Sequence, residues 1–276
     1  MKAEEIKQAV KSNYAKVALQ NLSCCGTGRS CCGTANAAQV ESKRVGYSDE
    51  EMSVAPEGAN LGLGCGNPLA HASLQVGEIV LDLGSGAGFD CFIAAARVGA
   101  TGKVIGVDMT PEMIDKAKQN AQRGHFENVE FRLGEIEELP VPENQVDVVI
   151  SNCVINLSPD KKKVFKEAFR VLRPGGRVMI SDIVILKELP EVIRKSVEAY
   201  VGCVAGALKK KEYLAAVEAA GFHEITVLSE DIYPIELMAS DPLVHSICAD
   251  LNLSANAVSD LAISVASIKV YATKPA

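Results

Sequence analysis

The rhythm of apolar and polar positions changes several times along the chain. Residues 3–20 place Ile6, Val10, Tyr14, Val17 and Ala18 near a helical period, predicting an N-terminal helix. Residues 21–44 are rich in Gly, Ser and Cys without periodicity, and 45–75 are loop-like with little apolar pattern. The pattern then turns to short runs of Val and Ile: "EIVLDLG" (78–84), "KVIGVD" (103–108), "VEFRLG" (129–134), "VDVVIS" (146–151) and "GRVMISDIVI" (176–185). Helix-like segments separate them, near 88–98, 111–123, 159–172 and 190–203. Such alternation predicts an α/β fold with a parallel sheet covered on both faces. Beyond it, "KKKEYLAAVEAAGF" predicts a helix ended by Gly221 and "EITVLSEDIY" a strand. An insertion at 234–262 reads as helical, and "SVASIKVYATKP" alternates as a final strand.

At 276 residues and 48% hydrophobic, the chain suits one α/β domain with additions. A net charge of -7 argues against nucleic acid or an anionic membrane surface as partner. The two "KKK" runs, 161–163 and 209–211, read as solvated helix faces. No apolar run reaches the ~18–20 residues of a membrane span, and the charged N-terminus lacks a signal-peptide core. A cytoplasmic, reducing compartment is therefore expected. Nine cysteines are too sparse for a disulfide scaffold. Cys91 and Cys248 read as core hydrophobes, and His71, His125, His223 and His245 as surface or capping residues.

"VLDLGSGAGFD" joins the first strand to a helix. Its Gly84, Gly86 and Gly88 allow a tight turn and close approach to a ligand. Asp82 stands at the strand end, where it would oppose an anionic pyrophosphate at the helix N-terminus. A cofactor with a cationic amino-acid end, such as S-adenosylmethionine, suits it. Asp108 closes the second strand where a ribose-binding carboxylate is expected.

With these motifs the chain resembles the class I S-adenosylmethionine-dependent methyltransferases. "LDLGSGAGFD" is similar to their first motif, "GVDMTPEMI" to their second, and "VLRPGGR" (171–177) to the turn entering their fifth strand. The resemblance implies a Rossmann-like, seven-stranded, mostly parallel sheet with an antiparallel last strand. It also implies that Asp108 holds ribose hydroxyls while Met109 and Ile136 flank the adenine. The expected organisation is an N-terminal helix and Cys/Gly-rich segment over 1–75, a cofactor-binding core over 76–233, and a helical insertion with the last strand over 234–276.

Ligands of open α/β sheets gather outside the carboxyl ends of strands, so Asn152 and Cys153 should face the transferable methyl. No histidine falls there to serve as a general base. A thiol-bound soft element needs none, because trivalent arsenic keeps a lone pair. "NLGLGCGNP", "SNCVINLSPDK" and "EAYVGCVAGAL" resemble the cysteine contexts of the arsenite methyltransferases. That resemblance implies Cys65, Cys153 and Cys203 as As(III)-binding thiols. It further implies an upstream cysteine that pairs with Cys65 in turnover. Cys24, Cys25, Cys31 and Cys32 remain open for this role, with Cys32 preferred. A thioredoxin-like or glutathione reductant is then expected, with As(III) arriving as a thiol conjugate. The rival readings are a C- or O-methyltransferase for a quinone-type small molecule and a non-catalytic As(III)-sensing thiol protein.

Overall fold

The computed structural model describes residues 3–20, 34–189, 191–232 and 264–276. One seven-stranded sheet organises them. Its strands are β1 (Ile79–Leu83), β2 (Lys103–Asp108), β3 (Val129–Leu133), β4 (Val146–Asn152), β5 (Leu172–Ile185), β6 (His223–Ile232) and β7 (Val265–Thr273). They lie in the order β3-β2-β1-β4-β5-β7-β6. β1 to β5 pair in parallel, and β7 runs antiparallel between β5 and β6. The Val- and Ile-rich runs read from the sequence are these strands, buried where helices cover both faces.

Nine helices accompany the sheet among the described residues: α1 (Ala3–Gln20), α2 (Thr34–Arg44), α3 (Asp49–Val54), α4 (Phe89–Val98), α5 (Pro111–Arg123), α6 (Lys161–Val171), α7 (Glu191–Lys195), α8 (Val197–Val201) and α9 (Lys210–Ala219). α4, α5, α6 and α9 follow the predicted segments, whereas the helix expected over 190–203 is two short ones, α7 and α8. The insertion expected at 234–262 lies outside the described residues, as do Cys24, Cys25, Cys31, Cys32, His245 and Cys248.

Two expectations for the N-terminal segment need correction. Residues 34–44, read as aperiodic, form α2, which buries Ala38 and Ser42 one turn apart. The stretch read as loop from 45 contains α3, started by a capping box. Ser48 Oγ accepts from the Glu51 N–H, and the Glu51 carboxylate accepts from the Ser48 N–H.

The sheet order reverses between β1 and β4, the place where open α/β sheets bind ligands. The loops after these two strands, 84–88 and 153–158, therefore flank one cleft. α1 lies over it, with Lys7, Val10 and Tyr14 in its wall. Lys7 pairs with Glu135 and Glu137, tying α1 to the segment after β3. Among the described residues no helix is long and apolar enough to cross a membrane.

Candidate active site

The cleft, ≈ 1150 Å³ including its open side, is lined at one end by Asp82, Gly84, Ser85, Gly86, Asp108, Met109 and Ile136. Asp108 sits at the end of β2 and holds the glycine loop. Its Oδ2 accepts from the Gly86 N–H at 3.0 Å and its Oδ1 from the Thr110 N–H at 2.8 Å. The three glycines divide their work differently from expectation. A Cβ on Gly84 would meet Val154 at 2.3 Å, and one on Gly88 would meet Phe131 at 2.7 Å. Both are glycine because the protein itself crowds them. Only Gly86 opens onto free space, at φ 51°.

Five carboxylates share the wall of this cleft: Glu41, Asp82, Asp90, Asp108 and Glu137. Burial raises Asp82 well above the usual range, and repulsion from Asp90 and Asp108 adds to it. Burial also pushes Asp90 up to about 6, opposed by hydrogen bonds from Tyr47 and Asn152. Asp108 is raised by burial and partly relieved by backbone N–H groups. Such a cleft favours a cation. Ser85 Oγ and Asn60 Nδ2 also line it, are buried, and have no hydrogen-bond partner among the described residues. A ligand with a positive centre and polar groups of its own suits that chemistry.

Asp90, the last residue of the first motif, and Tyr47 carry no role of their own in the sequence expectations, and their partner Asn152 plays more than the part expected of it. Tyr47 Oη donates to Asp90 Oδ1 at 2.5 Å. Asn152 Nδ2 donates to Tyr47 Oη at 2.9 Å and to Asp90 Oδ2 at 3.1 Å. It also donates to the Gly66 carbonyl at 2.9 Å, while Asn152 Oδ1 accepts from the Cys65 N–H at 3.1 Å. Asn152 lines the cleft as expected, but its amide is committed to holding the Cys65 loop. Cys91 is core as read, yet its Sγ also donates to Asp82 Oδ2 at 3.2 Å.

The structure brings Cys65, Cys153 and Cys203 into one buried cluster, with the Cys65 and Cys153 sulfurs within 4.8 Å and Cys203 outside that distance group. All three are buried and free. Interaction with the Cys203 and Cys65 thiols, before burial, raises the Cys153 thiol well above an ordinary one. Burial raises Cys65. Cys203 Sγ donates to the Cys153 carbonyl at 2.9 Å, and Cys65 Sγ to the Ser181 carbonyl at 3.6 Å. Of the three, Cys153 lines the cleft wall. Cys153 and Cys203 adopt φ values of 58° and 64°, a region that non-glycine residues seldom enter. Strain of this kind, of order 1–3 kcal/mol per residue, persists where surrounding structure imposes it and gathers at functional sites.

A carboxylate stands beside the thiols. Cys65 Sγ, Cys153 Sγ and a carboxylate oxygen of Asp182 lie within 4.8 Å of one another. Asp182 sits on β5, fully buried, and burial pushes it up to about 7. Lys161 lies within range of its charge. Read as part of a solvated face, Lys161 is instead 8% exposed, because its ammonium caps the Asn156 and Ser158 carbonyls behind β4. Burial lowers its pKa, and the charges of Asp182 and Cys203 oppose that. In the other lysine run, Lys209 and Lys211 are exposed, and so are His71, His125 and His223. Asp182 left one sequence signal, a lone charge inside the apolar run "VMISDIVI".

A Rossmann-like sheet with a glycine loop and an acidic cleft at its switch point defines the class: a methyltransferase. A family model described as a methyltransferase domain matches residues 74–221. Arsenite methyltransferases of Halobacterium salinarum and Aquipseudomonas alcaligenes are 48% and 37% identical to the chain, over 83% and 84% of it and 60% and 66% of their own lengths. The crystal structure of an arsenic (III) S-adenosylmethionine methyltransferase from Chlamydomonas reinhardtii is 30% identical with a TM-score of 0.61, covering 87% of this chain and 73% of that one. The chain belongs, within the methyltransferase-domain family, to the arsenite methyltransferases. It spans 60% and 66% of the length of the two curated relatives.

Proposed function

We propose that the chain transfers methyl groups from S-adenosylmethionine to thiol-bound As(III), a reaction of arsenic detoxification. The observation that carries this reading is the meeting of three free thiols, from positions 65, 153 and 203, beside the cleft. When bound, S-adenosylmethionine supplies an electrophilic methyl on a cationic sulfonium. Asp82, Asp90 and Asp108 give its positive groups a field of opposite sign, and the Gly84, Gly86 and Gly88 loop shapes the floor. Asp108 would take the ribose hydroxyls, with Met109 and Ile136 beside the adenine and Asn152 at the methionine end.

Cys65, Cys153 and Cys203 would bind arsenic as thiolates, releasing their protons as its oxygen or sulfur ligands leave. Arsenic held by three thiolates retains a lone pair, so no side chain need act as a general base. This agrees with the exposure of His71, His125 and His223. The apolar wall formed by Val10, Leu157, Ile183 and Tyr200 keeps water from the thiols. Methyl transfer to the lone pair would leave arsenic formally As(V). Cys65 and an upstream cysteine, with Cys32 preferred, would return it to As(III) by giving up two electrons and closing a disulfide. A thioredoxin-like protein or glutathione would reduce that disulfide again.

Mass analysis of arsenic products tests the reading. Wild type should give methylated arsenic and S-adenosylhomocysteine, and each of Cys65→Ser, Cys153→Ser and Cys203→Ser should lose the arsenic products. A quinone-type methyltransferase would keep its activity in those variants. A sensor would bind As(III) without consuming the methyl donor.

A further inference from the structure

The proposed arsenic chemistry uses three thiols and gives Asp182 no part. A carboxylate buried to 0% exposure beside two cysteine sulfurs nevertheless calls for an account. Its Oδ1 accepts from Asn156 Nδ2 at 2.8 Å and from the Ile183 N–H at 2.9 Å. Its Oδ2 accepts from Tyr213 Oη at 3.0 Å. These donors fix the plane of the carboxylate, and Oδ2, with a single donor, keeps a lone pair for another partner.

Coordination chemistry separates two kinds of occupant. Trivalent arsenic takes three ligands in a pyramid, and its lone pair fills the remaining direction. A divalent cation with a filled d shell has no such lone pair. It prefers four ligands in a tetrahedron and accepts thiolate and carboxylate together. With zinc–sulfur bonds of about 2.3 Å, the sulfur–sulfur edge of that tetrahedron is about 3.7 Å. Cys65 Sγ, Cys153 Sγ and the Asp182 oxygen already lie within 4.8 Å of one another, so closure onto a cation needs movements of about an ångström. Cys203 stands outside that group, its Sγ donating to the Cys153 carbonyl at 2.9 Å, and must turn inward to supply the fourth donor. Three thiolates and a carboxylate on a divalent cation leave a net negative complex. The buried Lys161, its ammonium on the Asn156 and Ser158 carbonyls, is within range of the charges of Asp182 and Cys203.

We propose that Cys65, Cys153, Cys203 and Asp182 form a four-ligand site for a thiophilic divalent cation, zinc or cadmium, that competes with arsenic. Binding displaces the three thiol protons to solvent and makes three metal–sulfur bonds and one metal–oxygen bond. The occupant has no lone pair to accept a methyl group, so the loaded site is a dead end that also shields the thiols from oxidation. Competition with arsenic rests on the function proposed above; the cation site does not.

The test uses the reduced 276-residue chain with Cys24, Cys25, Cys31 and Cys32 changed to Ser, which removes the four upstream thiols. Cadmium is titrated in while sulfur-to-cadmium charge-transfer absorbance is followed, and As(III) binding is measured by equilibrium dialysis. One cadmium should bind per chain. Asp182→Asn should weaken cadmium binding at least about tenfold while As(III) binding stays within about threefold. Unchanged cadmium affinity in a folded Asp182→Asn chain overturns the proposal. If that variant does not fold, zinc X-ray absorption on the chain with Asp182 intact decides. Three sulfur neighbours and one oxygen support the site, and four sulfurs or oxygen and nitrogen alone overturn it. Cadmium binding without As(III) binding leaves the cation site standing and removes the arsenic reading instead.

Discussion

The carboxamide of Asn152 grips the loop of Cys65 from both sides of one peptide bond. Its Oδ1 accepts from the Cys65 N–H at 3.1 Å, and its Nδ2 donates to the carbonyl of the next residue, Gly66, at 2.9 Å. The same Nδ2 reaches Tyr47 and Asp90 in the cofactor cleft. One side chain thus sets the thiol loop and the cleft wall in a common frame. Asn152→Ala leaves the Cys65 N–H and Gly66 carbonyl unpaired, at about 1–3 kcal/mol for each buried group. Equilibrium dialysis should show As(III) affinity falling about tenfold or more, with the thermal transition still cooperative.

Gly64 stands where that amide needs room. A Cβ there would lie 2.5 Å from Asn152 Nδ2, an atom held by three acceptors and unable to yield cheaply. Gly64→Ala should therefore displace Cys65 and lower As(III) affinity by as much as Asn152→Ala. The double variant should add little to either single change, because both act on one contact.

The strained backbone at Cys153 predicts an inverted order of stabilities. At φ 58° a Cβ is disfavoured, and glycine is not. Cys153→Gly should be more stable than Cys153→Ala by about 1 kcal/mol, read from denaturant midpoints at equal slope. Neither should hold arsenic with three sulfurs.

Binding of the methyl donor should depend on pH through Asp90. Burial raises this carboxyl to about 6, so below that pH it carries a proton that a cationic ligand must expel. Affinity for S-adenosylmethionine should rise as pH climbs toward about 6, and this contribution should level off above it. Calorimetry should detect the proton release in wild type, and Asp90→Asn should flatten the slope. Affinity that falls over this range would contradict the assignment.

The sheet was legible because parallel strands covered on both faces must be apolar throughout, and "KVIGVD" is β2 residue for residue. The thiols were legible through the contexts of Cys65, Cys153 and Cys203. α2 was hidden because "TANAAQVESKR" has no apolar stripe and buries only small residues, Ala38 and Ser42. α3 did carry a signal, the capping box spacing of Ser48 and Glu51. Lys161 sits beside exposed Lys162 and Lys163, so nothing local distinguishes it. Only tertiary structure brings it within range of the charge of Asp182. The left-handed backbone at Cys153 and Cys203 leaves no trace in composition, because cysteine is not a residue chosen for that conformation.

Arsenic X-ray absorption on the reduced 276-residue chain, with Cys24, Cys25, Cys31 and Cys32 changed to Ser, tests the shared-ion account most directly. The account predicts three sulfur neighbours around As(III), falling to two when Cys203→Ser is added. Oxygen neighbours in the starting chain, or a spectrum unmoved by Cys203→Ser, would contradict it.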